Sequence, residues 1–577
     1  MKKFISIILC LAMLIGTVAV STHAQQGEIT WDGDPVVFIQ GYTGSALVKD
    51  RGLETEAAVW GAGRELDIAK IIISVPGILA GIVLHAMGDS SLLLSSFGAL
   101  AEDMLGGIEI LEDGTSKYNV TPYPYYAEEA SIATLRANGK EDYVPEKDIT
   151  NSILETVPAE YVFIFNTDWR LGQIDNSEML AAFIDGVLAC TGKDKVDIYA
   201  LSHGGQTAAA YLYYYGTQAK VDNAVLNVPA IGGTTIATGL LGGNINFGMD
   251  EISRFLAVML RTETDLRFLG KILPGDFLNG LINTVFSEMF LPVALNFGSV
   301  WDFMDIDTYT TYKAKYLNNP IIHGERIEKH DKMHYDCMAN MSKGLKAAQT
   351  AGVNIYITAN YGTQLGTGET VDSDFIIDTK NTTGAYTADY GTHFVKGYTA
   401  KGTNCSDPTH NHVSPSYTVD ASTAFLPENT WFIYGQYHGQ VYWDDYTRPM
   451  IMEMLLTDNI KDVHSDPRYP QFELAQCPVD GVYAKFTNEK SGYYNADSKK
   501  LLIRNICDEN SMVITAIKAD GCEFNLDSKK VLAPDEEMTV DCSKLSDNGC
   551  FIMEIEYKYS GSLLAQPMSR TLYFCEN

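Results

Sequence analysis

Val196-Asp-Ile-Tyr-Ala-Leu-Ser202-His-Gly-Gly-Gln-Thr-Ala-Ala-Ala-Tyr-Leu212 is the stretch whose reading decides the fold. Val196 to Leu201 is a short, mostly apolar run, as a buried strand requires. Thr207 to Tyr215 is rich in Ala and Leu and free of breakers, which predicts a helix. Between them lies Ala200-Leu201-Ser202-His203-Gly204, a small-x-Ser-x-small turn. Small residues two before and two after a serine let strand and helix close tightly, so the hydroxyl projects above the sheet edge. The following helix N-terminus turns unpaired N–H groups toward the place where negative charge would develop.

Outward from this point, strand and helix alternate. Pro35-Val-Val-Phe-Ile-Gln-Gly41-Tyr42-Thr-Gly44 reads as a buried strand entering a glycine-bearing loop, and Tyr161-Val-Phe-Ile-Phe165 as a second strand, followed by Asp168-Trp169-Arg170-Leu171. An amphipathic helix over Ser177 to Leu188 leads to the Ser202 strand. Further strands are predicted over Val221 to Pro229, Val353 to Thr358 and Thr430 to Tyr434, with helices over Lys343 to Thr350 and Met450 to Leu456. Such alternation predicts an α/β fold with a mainly parallel sheet covered on both faces.

Two stretches interrupt it, at about 48–160 and 230–319, and are expected to be helical cap insertions. The first carries Ile71 to Leu84, an almost wholly apolar run too short to span a bilayer, which suits a buried segment or a surface that meets lipid. Pro467-Arg-Tyr-Pro470 marks a boundary. From about Asp480 to the end, short strand-like runs recur about every ten residues, which suggests a small immunoglobulin-like β-sandwich. The expected organisation is therefore a leader over 1–24, a catalytic domain over 25–470 and an accessory β-sandwich over 480–577.

The chain has 577 residues and a net charge of −31. Acidity of this degree opposes nucleic-acid binding and electrostatic adhesion to anionic membranes, but not hydrophobic contact with lipid. Lys2 and Lys3, the apolar run Phe4 to Val20 and Thr22-His23-Ala24 have the order of a secretory signal cleaved after Ala24, so a secreted or cell-surface location is expected. Nine of the ten cysteines would remain, an odd number, and their pairing is not readable.

Ser202 as a nucleophile needs a base and a carboxylate to orient that base. His438, just after the last apolar strand, is the candidate base; His410 and His412 precede that strand and fit less well. Asp374 is the favoured acid, with Asp372 and Asp378 on the same loop. The backbone N–H groups of Tyr42 and His203 are the candidate oxyanion donors. His410-Asn411-His412 could place two imidazoles on one strand face for zinc, but no third ligand is evident, and no metal or cofactor is expected.

Gln40-Gly41-Tyr42-Thr-Gly44-Ser-Ala-Leu47, Asp168-Trp-Arg-Leu171, the Ser202 elbow and Ser373-Asp374 together resemble the lecithin:cholesterol acyltransferase and lysosomal phospholipase group of α/β hydrolases, and are also similar to secreted bacterial lipases of that fold. The resemblance covers Pro35 to Leu456 in ordered pieces. It departs from the group at Gln40, where the group has Pro, at Ala200 before the elbow, and at Phe375, where the acid loop has a second Gly. It implies Ser202 as nucleophile, Asp374 as acid, His438 as base and Tyr42 as an oxyanion donor. It also implies acyl-ester chemistry on lipids, with water or a lipid alcohol as acceptor, and transient contact with a lipid interface. A peptidase or amidase would use the same residues. A non-catalytic adhesion protein on this fold is the alternative from another class, with the C-terminal module contacting a surface, glycan or protein.

Overall fold

The computed structural model describes residues 31–64, 76–242, 291–438, 446–474 and most of 482–576, together with a few positions between 280 and 290; isolated positions inside these spans are excepted. The expected leader, residues 65–75 at the start of the apolar run and the greater part of 243–290 lie outside the described residues.

The described residues fall into two compact units, one of 31–242 with those from 280 to 355 and one of 356–576. Seven parallel strands make the central sheet: β1 (Val36–Ile39), β2 (Val162–Phe165), β3 (Val196–Leu201), β4 (Val221–Asn227), β5 (Asn354–Tyr361), β6 (Thr430–Tyr434) and β7 (Phe472–Leu474). Their order is β7-β6-β5-β4-β3-β1-β2. Every residue of β1, β2, β3 and β6 is buried. Strands covered on both faces read as continuous apolar runs rather than alternating ones, which is why these were visible in the sequence. β1 pairs with β2 on one side, Val36 opposite Val162, and with β3 on the other, Val36 opposite Asp197. The chain thus reverses its direction of travel across the sheet at β1 and β3, and the carboxyl ends of two strands flanking such a reversal leave a crevice for a ligand. Gly41 follows the first and Ser202 the second.

Helix α1 (Gln173–Thr191) joins β2 to β3 and stops at Gly192, whose φ of 69° is the left-handed stop that glycine supplies at least cost. Helix α2 (His203–Tyr215) follows β3 directly, and its first ten residues are all buried. Helix α3 (Met341–Thr350) precedes β5, and α4 (Thr447–Leu456) follows β6. Among the described residues, no helix is long and apolar enough to cross a membrane.

The first insertion is not purely helical. It contains a three-stranded antiparallel sheet of Ala57–Trp60, Ala46–Lys49 and Val120–Tyr123, the last of these strands lying between helices over Ser91–Leu105 and Lys147–Leu154. Val120-Thr-Pro-Tyr123 alternates buried and half-buried, a period of two that a reading fixed on apolar runs passes over. Arg170 fastens this insertion. Its guanidinium makes a two-pronged bond to Asp168, Nε to Oδ1 at 2.8 Å and Nη2 to Oδ2 at 2.7 Å. It also donates to Ser116 Oγ at 3.0 Å and to the carbonyls of Ile108 and Val120. Trp169, between them, bonds the Ser45 carbonyl.

In the second unit, residues 482–576 form a three-stranded sheet, Val482–Phe486, Lys500–Asn505 and Glu537–Asp541, and a larger sheet built on Met512–Ala519, Cys550–Tyr559 and Met568–Glu576. Val482, Phe486, Ile514, Met553 and Phe574 share one buried cluster with Ala359 and Tyr361 of β5 and Phe432 and Tyr434 of β6. One apolar core therefore underlies both the C-terminal sheets and the last strands of the central sheet.

Arg170 is fully buried and paired with an equally inaccessible carboxylate. Removing one partner leaves a charge stranded in the core, at a cost of about 3–5 kcal/mol. Arg170→Met, which keeps the bulk, is expected to lower unfolding free energy by about that amount in urea titrations, more than Lys117→Met at the exposed pair with Glu109.

Candidate active site

Ser202 sits at φ 56°, ψ −116°, a backbone conformation that non-glycine residues rarely adopt. The bends before and after it explain how the turn is held. A Cβ on Gly204 would lie 2.4 Å from the Gln40 carbonyl oxygen and 2.7 Å from that of Ile39; one on Gly205 would lie 2.6 Å from Pro229 Cβ. Only glycine lets α2 start this close to the end of β1 and to the loop after β4. The Ser202 N–H donates to the Asn227 carbonyl and its own carbonyl accepts from Gln206 and Ala230, so its peptide groups are fixed on both sides.

The loop after β1 passes beside the serine: a Cβ on Gly41 would stand 3.6 Å from Ser202 Cβ. Gly44 N–H closes the turn onto the Gly41 carbonyl at 3.2 Å. Gln40, at the position where the resembling group has Pro, donates through Nε2 to Asn166 Oδ1 at 2.5 Å, and Asn166 in turn donates to the Tyr123 carbonyl. Tyr42 packs edge-on against Trp169, His203 and Phe303. Its burial pushes the phenol up to about 12.

His203 opens α2, so its N–H has no intrahelical acceptor. Its ring is fully buried against Tyr42 and Phe303, and neither ring nitrogen has a hydrogen-bond partner. Burial pushes it down to about 4. It is therefore a neutral, packed ring at ordinary pH, and its backbone is the part with chemistry to offer.

In the second unit, Asp374 and His438 meet: His438 Nδ1 donates to Asp374 Oδ2 at 2.6 Å, and the His438 N–H donates to the Asp374 carbonyl at 2.9 Å. Asp374 Oδ1 accepts the N–H groups of Ile376 and Ile377 at 3.0 and 2.7 Å. The carboxylate is thus held at both oxygens and buried, while the imidazole keeps partial exposure. The turn that presents it places Phe375 at φ 84°. This is a glycine conformation carried by an aromatic residue, whose ring packs edge-on against Tyr437 beside His438.

The other two carboxylates of the loop are buried as well. Asp378 is fully buried and precedes the short helix Thr379–Thr383. Asp372 accepts from Thr379 Oγ1 at 2.6 Å and from the Gly362 N–H at 3.2 Å. Two groups of sequence-predicted residues result: Tyr42, Ser202 and His203 in the first unit, Asp374 and His438 in the second.

Sequence reasoning missed a further buried pair. His330 Nδ1 bonds Asp302 Oδ1 at 2.6 Å, and Asp302 Oδ2 accepts the Gln173 N–H at 2.5 Å, the first N–H of α1. The Asp302 carbonyl accepts from Gln206 Nε2, Gln173 Nε2 donates to Gln206 Oε1, and Thr207 Oγ1 donates to Gln173 Oε1. This chain ties α1 to the first turn of α2 behind Ser202. Nothing in the spacing of these residues announces it, because its members come from four separate segments. A scan against protein-family models finds no match for the chain, and a search of the curated proteins finds none either.

Burial pushes the Asp372 carboxyl up to about 7, with the Asp374 charge adding to the effect. Below about pH 4 this group is protonated in folded and unfolded chains alike. Between there and about 7 the unfolded chain ionises first, so folded-state stability falls as pH rises. Asp372→Asn cannot ionise, and its melting temperature relative to the parent is expected to rise steadily from pH 4 to 7.5. A flat difference would place the ionisation elsewhere.

Proposed function

We propose that the protein is a serine carboxylester hydrolase of α/β-hydrolase type, exported and acting on lipid acyl esters, in which Ser202 attacks, His438 takes and returns the proton, and Asp374 orients the imidazole. The observation that carries this reading is the Asp374–His438 bond through Nδ1. A carboxylate on Nδ1 fixes the tautomer, leaves the lone pair on Nε2 and stabilises the ring once it is charged. The strained Ser202 turn supports it, as do the positions in the chain: serine after β3, acid after β5 and histidine after β6, the order Ser, Asp, His.

On this reading the Ser202 oxygen adds to the ester carbonyl as its proton passes to His438. The N–H groups of Tyr42 and His203 receive the oxyanion, the alcohol leaves with the proton, and water repeats the sequence to free the acid. The motif likeness to the lecithin:cholesterol acyltransferase and lysosomal phospholipase group favours lipid esters. The C-terminal sheets are read as an immunoglobulin-like accessory module.

Ser202→Ala is expected to fold normally, to lose labelling by a fluorophosphonate, and to lose turnover of esters by about a thousandfold or more. A chain-length series of nitrophenyl esters would rank the acyl preference. Full activity in the folded variant sinks the enzymatic reading.

Asp374→Asn is expected to lower kcat by about three orders of magnitude or more with little change in KM, since it leaves the ring in the wrong tautomer. Asp378→Asn should cost far less. The opposite ranking on folded proteins transfers the acid role to Asp378.

A further inference from the structure

His410 and His412 lie two apart in the sequence, and in the second unit they do not stand alone. Cys405 and His464 converge on them. Cys405 Sγ is 3.5 Å from His464 Nε2. The His410 ring lies edge-on to both other imidazoles, 4.5 Å from His412 and 4.5 Å from His464 between centroids. Donor atoms of Cys405, His410 and His412 all fall within 4.8 Å of one another, as do those of Cys405, Glu428 and His464.

The hydrogen-bonding pattern says which way the lone pairs point. Gln471 gives both its N–H groups to backbone carbonyls, Pro427 at 2.7 Å and Thr430 at 3.1 Å, which fixes its oxygen toward His412. That oxygen lies 2.8 Å from His412 Nδ1, so Nδ1 carries the proton and Nε2 the lone pair. His412 is only 4 % exposed, and Nε2 is buried with no hydrogen-bond partner. His410 Nδ1 is likewise buried and without one. A buried ring nitrogen without a hydrogen-bond partner is costly, unless a cation takes its lone pair.

We propose that Cys405, His410, His412 and His464 bind a single zinc ion as a closed, four-coordinate structural site. Zn–S near 2.3 Å and Zn–N near 2.0 Å put adjacent donors of a tetrahedron roughly 3.5 Å apart, the spacing already present between Cys405 and His464. One thiolate with three imidazoles suits zinc and is wrong for calcium or magnesium, which take oxygen donors. Glu428 stands outside the set of four. Its Oε1 accepts from the Ser406 N–H and hydroxyl, which holds the start of the ligand loop, and its 3.3 Å contact with His464 Nε2 is one that the ion would replace. The four ligands come from either side of the turn Pro427–Asn429, which leads straight into β6. An ion there would pin the long connection 405–420 to the loop at 461–465, at the foot of the strand that ends before His438.

The inference does not depend on the ester-hydrolase reading, and its test needs no activity. The full-length protein is incubated with a slight molar excess of zinc, passed through gel filtration and measured by elemental mass spectrometry. Roughly one zinc per chain is expected, with a lower melting temperature after chelation and recovery on zinc return. Replacement by cobalt(II) should give the visible bands of a tetrahedral site and a near-ultraviolet sulfur-to-metal charge-transfer band. Cys405→Ser should abolish that charge-transfer band and His412→Gln should reduce retention at least tenfold, while Cys190→Ser, at an exposed cysteine, should leave both unchanged. Metal-free wild-type protein after this treatment overturns the proposal, whether or not the variants fold. So does a cobalt complex with no thiolate band, or equal retention by Cys405→Ser.

Discussion

A serine held at φ 56° costs on the order of 1–3 kcal/mol, and it stays there only because the surroundings leave the chain no alternative. Two close approaches impose it. Gly204 lies against the last carbonyls of β1, and Gly205 against Pro229 after β4. A side chain at either glycine would push α2 away from the sheet and let the turn relax. The strain is therefore maintained by the packing of three neighbouring strands, and the same packing brings the glycine-bearing loop after β1 alongside the serine. The Gln173, Gln206 and Thr207 bonds, anchored on Asp302, add rigidity from the opposite side of α2. Here fold and site rest on one constraint, the fit of a helix start into the end of a parallel sheet.

Polar groups do in the interior what the apolar core cannot do, which is to fix orientation. Arg170 selects one arrangement of the insertion by requiring Asp168, Ser116 and two carbonyls at once. Gln471 selects one tautomer of His412, and Asp374 one tautomer of His438. In each case a planar group with fixed donor geometry decides between conformations that hydrophobic burial alone would leave nearly equal.

What was legible in the sequence follows from this division. Strands buried on both faces announce themselves as apolar runs, and Val196 to Leu201 or Thr430 to Tyr434 need no partner to be read. Ser202 was legible because its turn demands small residues at fixed offsets. The loop that carries Asp374 was harder. The resemblance asked for a glycine after Asp374, and the sequence has Phe375. The backbone nevertheless adopts the glycine conformation, and the ring finds Tyr437 as compensation, a packing fact that local sequence does not contain. The Asp302–His330 pair and the Cys405–His464 approach were not legible for a simpler reason. Their members are separated by tens of residues, and only tertiary structure makes them neighbours. The strands of the first insertion were missed because they alternate, with half their residues facing outward.

The position of β1 in the sheet carries a consequence for how the chain acquires its structure. β1 emerges from the ribosome well before its two partners, which begin at Val162 and Val196. At the usual pace of synthesis, Val36-Val-Phe-Ile39 waits on the order of ten seconds before β2 exists and longer before β3 does. During that interval its backbone groups are unpaired and its side chains face water, the condition in which an apolar strand associates with the wrong neighbour. Pairings this distant in sequence also make the search for the native sheet slow. A strand paired on both sides in the finished molecule is thus unpaired in the nascent one, and the yield of correctly folded protein depends on what shields those four residues until Val196 to Leu201 arrives.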